Sequence, residues 1–172
     1  MNSHHRVLGA FAIVVAVLIA AYASFGIPIA CGSHGCIRKS DIAAQRVYDN
    51  AFARSTNSHE PVEQATLTTL VRRYLITHAT TTSSVSLTDA ELYRADILHA
   101  TDPEIVQKLG FASFEEYDRL VLVPFLQQEA LMKERHIKNP SALYARLAQE
   151  QSIFLSMKGY KWNKATGEVV AK

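Results

Sequence analysis

The sequence has almost no excess of charge of one sign. Its 172 residues include 18 Lys and Arg against 16 Asp and Glu. Proteins that bind nucleic acid carry clustered basic residues, which neutralise phosphates and release their counterions. We therefore expect no nucleic-acid partner.

The sequence also lacks the local motifs that mark common catalytic sites. It has no G-x-x-x-x-G-K-[ST] or G-x-G-x-x-G phosphate loop, no G-x-S-x-G nucleophile elbow and no H-E-x-x-H pair. His99 beside Asp96 or Asp102 can be drawn as an acid–base pair, but a surface histidine at a helix end explains the same residues. We predict no catalytic residues, no enzyme activity, no cofactor and no small-molecule substrate. An enzyme of another chemistry is the least favoured hypothesis.

Cysteine is scarce, and its two occurrences, Cys31 and Cys36, lie close together. The glycine-containing loop between them lets the two sulfurs meet, so they are a disulfide candidate, which points to an oxidising compartment. Free thiols are the next alternative. A zinc site with His34 ranks last, because structural zinc takes four ligands and no fourth is near, so we predict no metal site. The C-x4-C spacing also differs from the redox motif C-x-x-C.

The sequence does contain one long apolar run. Residues 7–30 carry no charge, and 20 of these 24 residues are apolar or aromatic. A helix of this length is roughly 36 Å long, and a bilayer core is about 30 Å thick. We therefore predict a signal anchor over 1–30, with a transmembrane helix that contacts the lipid bilayer through 7–30. A cleaved signal peptide is the alternative, because Ala21, Tyr22 and Ala23 fit a small-x-small cleavage site.

The charges around this run do not fix its orientation. Arg6 precedes it and four basic residues follow it within 38–54. Long domains, however, translocate largely regardless of such charges. The cysteine pair, in a juxtamembrane linker over 31–39, favours the oxidising side. The predicted localisation is the cell membrane, single-pass, with the domain on the extracytoplasmic side.

The remainder of the chain predicts helices. Strand signals are nearly absent from 40–158, whereas capping boxes recur at Thr88, Thr101 and Ser113, each with Glu three residues later. Apolar spacing predicts helices over about 40–54, 61–78, 89–100 and 103–109, one from 114 that kinks or breaks at 123–124, and one from 140. The predicted fold class is all-α: the transmembrane helix, then an irregular bundle of about five or six short helices, then an extended arm or hairpin over 159–172.

Residues 111–126 hold more apolar side chains than one helix face needs. Val121, Leu122 and Val123 together cover every direction around the helix axis. Either this helix is buried on most sides, or it exposes an apolar groove for a partner. The second interpretation gives four candidate peptide-binding residues, which are Phe114, Tyr117, Val121 and Phe125.

Several stretches resemble a known family. LVRRYL at 70–75, a polar loop and LTDAEL at 87–92 resemble the N-terminal chaperone domain of SurA-like periplasmic folding factors. FEEYDRL at 114–120 is similar to a further signature of that domain, and VPFLQQEAL at 123–131 is similar to membrane-anchored relatives. The similarity covers about residues 65–136. The chain departs from the family at 31–36, where CGSHGC replaces an opening strand. A parvulin isomerase domain is not expected in the 36 residues after His136.

The resemblance implies a holdase-like, peptide-binding module without prolyl isomerase activity. The predicted function is a membrane-tethered extracytoplasmic chaperone-like module that binds unfolded, extended or exported polypeptides without catalysis. The alternative is a structural or assembly protein whose helical domain docks a fixed partner or self-associates at the membrane surface. A monomer that holds diverse peptides favours the first, and a defined oligomer favours the second.

Overall fold

The computed structural model describes residues 26–59, 61–97 and 102–172. In chain order its elements are β1 (Pro28–Gly32), β2 (Gly35–Arg38), α1 (Lys39–Ser55), α2 (Glu63–Thr77), α3 (Leu87–Asp96), α4 (Pro103–Lys108), α5 (Phe114–Tyr117), a π-helical segment (Asp118–Leu122), α6 (Val123–Glu134), α7 (Pro140–Glu150), β3 (Phe154–Leu155), β4 (Tyr160–Asn163) and β5 (Glu168–Ala171). Helices α5 and α6 and the π-helical segment between them run without interruption. We call this stretch, residues 114–134, the rod.

Short polar side chains begin several helices. Ser113 Oγ accepts a hydrogen bond from the backbone N–H of Glu116 at 3.2 Å, so the predicted helix start at Ser113 is confirmed. The predicted start at Thr88 is wrong by two residues, because Ser86 provides the cap and the reciprocal capping box of α3. The third predicted start, at Thr101, lies outside the described residues.

Pro124 does not interrupt the rod. A proline inside a helix removes one amide donor, and its ring clashes with the carbonyl four residues earlier. The π-helical segment lies directly before α6, so its wider turn precedes Pro124, which falls in the first turn of α6. Of the predicted kink or break at 123–124, the break is wrong, because the helix continues there with a local change of helix type.

Helix α2 lies at the centre of the core. Leu67, Val71 and Leu75 are fully buried along one face of it. They share one hydrophobic cluster with buried residues of α6, α7 and β5, namely Leu131, Leu143, Leu147, Ala148 and Val169. Because α2 contacts α1, β2, α6, α7 and β5, most of the domain fixes its position.

The fold is mixed α/β, so the prediction of an all-α fold is wrong. Strands β2, β1 and β3 form one antiparallel sheet in that order, and β4 and β5 form a second antiparallel hairpin within 159–172. Pro28 favours extended backbone in the residue before it, and β-branched Ile29 and Ile37 suit strands. The side chains of Ile29, Ala30 and Ile37 join the core cluster, so the first sheet is part of the hydrophobic core.

The predicted membrane anchor is also corrected. Its last residues, from Pro28 onward, lie in β1 rather than in a helix. Across the part of the chain that the structure describes, no helix combines the length and the apolar character needed to cross a bilayer, which contradicts the predicted single-pass, cell-membrane localisation. Residues 7–25 of the predicted anchor lie outside the described residues.

A buried ion pair joins α3 to the rod. Nε of Arg94 lies 3.0 Å from both carboxylate oxygens of Asp118, which belongs to the π-helical segment. The two side chains are only 10% and 3% exposed. The guanidinium carbon of Arg94 also lies 3.9 Å from the centroid of the Phe114 ring. Such a pair needs all of its partners, because an unpaired buried charge is costly.

Candidate functional site

One face of α2 adjoins the core-facing one and is turned toward α1 and the rod, so that Leu70 and Tyr74 both line this face and pack with the core cluster. Leu70, Arg73, Tyr74 and Thr77 lie on this face at spacings of three, four and seven residues, which places side chains along one side of a helix. The same residues line an open cavity, so the sequence of α2 presents one apolar face to the core and one mixed face to this space.

Two adjoining cavities form a groove along α2, and we call it the α2 groove. Their volumes are about 300 Å³ and about 380 Å³, and they share Gln45, Arg73 and Leu120. The first cavity extends toward the β1–β2 hairpin, with Ile37, Ala44, Tyr48, Leu70 and Tyr74 among its walls. The second extends along the rod, with Ile76, Val121, Pro124, Phe125 and Tyr144 among its walls.

The β1–β2 hairpin closes one end of the α2 groove. Its turn is tied to α2, because the backbone N–H of His34 donates to the hydroxyl of Tyr74 at 2.9 Å. The His34 ring also stacks on the ring of His78 with centroids 4.9 Å apart. Burial, and next the neighbouring His34, lower the pKa of His78 below its ordinary value. Cys31 and Cys36 lie opposite one another in this hairpin with their Cα atoms 4.0 Å apart, and a disulfide joins them.

A hydrogen bond from α1 to the rod braces one wall of the groove. The hydroxyl of Tyr48 donates to a carboxylate oxygen of Glu116 at 2.9 Å, and the Tyr48 ring stacks on Phe111. Burial raises the pKa of Tyr48, and the bond to Glu116 acts in the same direction. The pKa of Glu116 is lowered, first by the backbone N–H of Ala112 and then by Tyr48. The hydrogen bond between Tyr48 and Glu116 joins α1 to the first turn of the rod.

Arg73 lies at the middle of the groove, since it lines both cavities. Its Nη2 donates to Oε1 of Gln45 at 2.8 Å, and Nε2 of Gln45 donates to Asp49 at 2.9 Å. The second oxygen of Asp49 accepts from the hydroxyl of Thr66 at 2.7 Å. Burial lowers the pKa of the Arg73 guanidinium, and the more distant Asp49 opposes that shift. Among the described residues no carboxylate forms an ion pair with Arg73.

The other end of the groove holds a second arginine, Arg72, which is held by contacts within the domain. Arg72 forms an ion pair with Glu168 at 2.9 Å and donates to the carbonyl oxygen of Gly167. Its guanidinium also lies over the ring of Tyr144, 4.6 Å from the centroid, and the hydroxyl of Tyr144 donates to Gln128. Burial raises the pKa of Tyr144. Arg72 therefore lines the second cavity and is already paired with a carboxylate, whereas Arg73 lines both cavities and forms no ion pair among the described residues.

The four sequence-predicted peptide-binding residues do not lie together. Val121 and Phe125 line the second cavity of the α2 groove. Phe114 instead packs against the guanidinium of Arg94, and Tyr117 packs edge-on against Phe111. Phe114 and Tyr117 therefore pack within the domain, whereas Val121 and Phe125 contribute to one wall of the groove.

The contribution of α2 to this site was not predicted from the sequence. Leu70 and Tyr74 pack with the core cluster and also line the groove, and no role was predicted for Arg73. A pair of arginines, Arg72 and Arg73, inside an otherwise apolar stretch is the signal that could have identified it. Long basic side chains in such a stretch bury their stems and need a polar environment for their guanidinium groups.

The described residues hold no candidate metal site. Nowhere in residues 26–59, 61–97 and 102–172 do three or more His, Cys, Asp or Glu side chains converge in a way that could hold a metal ion. His99, which the sequence pairs with Asp96 or Asp102, lies outside the described residues. The α2 groove combines apolar wall residues with two guanidinium groups, those of Arg72 and Arg73, and this mixed lining suits binding of a chain with apolar and polar side chains.

Comparisons of the chain with protein-family models, with curated proteins and with solved structures find no match. The resemblance to SurA-like folding factors therefore stays a prediction, and the functional argument rests on the geometry of the α2 groove.

Proposed function

We propose that this domain is a peptide-binding module that holds extended or unfolded polypeptide in the α2 groove, without catalysis. The observation that carries the proposal is the groove itself, two neighbouring cavities along α2 that share Gln45, Arg73 and Leu120. Binding sites of this kind are concave, largely apolar and provided with a few polar groups that fix orientation. The α2 groove has this composition, with Arg73 and Gln45 between its apolar walls.

The shape of the groove favours an extended chain over a compact ligand. Each cavity is only about 300 to 400 Å³, close to the lower end of the range for small-molecule pockets, and both are open. An extended peptide places successive side chains in separate pockets, so two adjoining cavities suit consecutive anchors of one chain. Because Tyr48 and Glu116 brace the walls, the groove is preformed and binding orders the protein little.

A second candidate function is docking of a fixed partner or of another copy of the chain. It is favoured by large apolar side chains that are more than half exposed outside the groove, on α1 and α3 and beside α3, which are Val47, Phe52, Leu92 and Ile97. Apolar surface of this kind marks protein interfaces when it is contiguous. Sedimentation separates the two functions, because the docking function requires a defined oligomer or complex and the peptide-binding function does not.

The proposed function predicts that a groove substitution weakens suppression of client aggregation. We expect Phe125→Ser to require about tenfold more protein than the unsubstituted chain to keep a chemically denatured client soluble, because truncating an aromatic anchor typically costs more than 1 kcal/mol. Light scattering during dilution of the client from denaturant measures this effect.

Phe52→Ser is the matched control for this experiment. Phe52 is 56% exposed and Phe125 is 41% exposed, both lie on helices, and only Phe125 lines the groove. Suppression by Phe52→Ser should equal that of the unsubstituted chain. An equal loss in both variants would show that general surface hydrophobicity holds the client, and no suppression by the unsubstituted chain at stoichiometric excess would exclude the holding function.

A further inference from the structure

We infer that the α2 groove selects extended segments that carry an acidic side chain between apolar ones, and that the guanidinium of Arg73 binds this carboxylate. This inference rests on the proposed function and specifies its ligand. Three features support it: the hydrogen bonding of Arg73, the placement of the surrounding charges, and the shape of the groove on either side of Arg73.

The first observation concerns the hydrogen bonds that the guanidinium of Arg73 makes. Arg73 carries five N–H donors, and its one hydrogen bond within the described part of the chain goes to a neutral amide oxygen, that of Gln45. A guanidinium matches a carboxylate with two parallel hydrogen bonds, and this pairing strengthens as water is excluded. Arg73 is half-buried and lines both cavities, so a carboxylate that enters the groove would meet a partly desolvated guanidinium.

The second observation is the placement of the nearby acids. The two oxygens of Asp49 accept hydrogen bonds from Gln45 and Thr66, and its charge acts on Arg73 from a distance, raising the pKa of the guanidinium against the effect of burial. Asp41, which also lines the first cavity, accepts a hydrogen bond from the backbone N–H of Arg38 at 2.7 Å at the start of α1. Neither acid forms an ion pair with Arg73, so a carboxylate that enters the groove would be the first among these groups to pair with it directly.

The third observation identifies the source of the carboxylate. Cavity space extends from Arg73 in both directions, toward Tyr74 in the first cavity and toward Phe125 in the second. A chain end bound at Arg73 would fill one direction only, whereas an internal residue lets the chain continue through both. The carboxylate that fits is therefore that of an internal Asp or Glu side chain.

The test compares two capped peptides of Val and Leu residues that differ only at the centre, where one has Glu and the other Gln. Fluorescence anisotropy with the full chain should show about tenfold tighter binding of the Glu peptide, as expected for a charge-assisted hydrogen bond. In Arg73→Gln the preference should vanish, with both peptides binding as the Gln peptide binds to the unsubstituted chain. Arg73→Lys keeps the positive charge but loses the planar guanidinium that forms two parallel hydrogen bonds. This variant should therefore retain part of the preference for the Glu peptide.

Arg119→Gln is the control for loss of charge alone. Arg119 is exposed on the rod and lines neither cavity, so this variant should keep the preference for Glu within about twofold, as a screened surface charge does. Equal binding of the two peptides to the unsubstituted chain would overturn the inference and leave the groove as a peptide site. Failure of both peptides to bind would remove the proposed function itself.

The Gln peptide with a free C-terminal carboxylate distinguishes the two sources of the anion. It should bind no more tightly than its amidated form. A preference for the free terminus that disappears in Arg73→Gln would overturn the assignment to an internal acidic residue. The comparison of the Glu and Gln peptides uses the unsubstituted chain. It therefore tests the inference even if the Arg73 variants fail to fold.

Discussion

Replacing Asp118 by Ala should lower the free energy of unfolding by about 3–5 kcal/mol, because the substitution leaves the buried charge of Arg94 without its carboxylate. Asp118 is 2% exposed, and its two oxygens both lie 3.0 Å from Nε of Arg94. The pair connects α3 to the π-helical segment, so its loss weakens one of the contacts between α3 and the rod, which also meet at Tyr93 and Phe125. Urea unfolding of the full chain, followed by circular dichroism, measures the change.

Two further variants make this result specific. Asp96→Ala removes an exposed carboxylate from α3 and should change the free energy of unfolding by less than about 0.5 kcal/mol. The double variant Arg94→Met with Asp118→Leu should be more stable than Asp118→Ala, because it removes both charges and fills the space with apolar groups. If the double variant is less stable than Asp118→Ala, the hydrogen bonds between Arg94 and Asp118 themselves stabilise the fold. The cost of a buried charge without its carboxylate is then not the main effect.

Leu75→Ala should lower the free energy of unfolding by about 2–5 kcal/mol, because a fully buried leucine loses its transfer free energy and leaves a cavity. Leu75 is 0% exposed and lies on the core face of α2, away from the groove. Peptide binding by the folded fraction should therefore stay within about twofold of the unsubstituted chain, as expected for a site remote from the substitution. Chemical denaturation and peptide anisotropy on the same sample measure the two effects.

Leu92→Ala provides the matched control on α3. Leu92 is 55% exposed, so its truncation should cost less than about 0.5 kcal/mol. A large loss of stability in this variant would mean that Leu92 is covered in solution, which would support the docking function. An equally small loss in Leu75→Ala would contradict the position of α2 at the centre of the core.

The helices were predictable because their signals are local. Apolar spacing predicted 40–54, 61–78 and a helix from 140, and the structure has Lys39–Ser55, Glu63–Thr77 and Pro140–Glu150. The cap at Ser113 depends on residues three positions apart in sequence. Each of these features forms from a single stretch of chain, so one sequence is enough to indicate it.

The first sheet was not predictable in the same way. Residues 28–30 end a long apolar run, and apolarity alone does not separate a strand from a buried helix. β1 becomes a strand through pairing with β2 and with β3, which lies more than a hundred residues later in sequence. The same limit applies to the α2 groove. Val121 and Phe125 were predicted from apolar excess, but the role of Arg73 depends on how α1 and the rod pack around α2.

The central claim is that extended polypeptide binds in the α2 groove, and photo-crosslinking tests it most directly. A capped apolar peptide with a central Glu and a diazirine-bearing leucine is bound to the full chain and irradiated, and the modified residues are identified by mass spectrometry. The crosslinks should fall on groove-lining residues of α2 and the rod, such as Leu70, Leu120 and Val121. Crosslinks confined to exposed apolar residues outside the groove, such as Phe52 and Leu92, would contradict the claim.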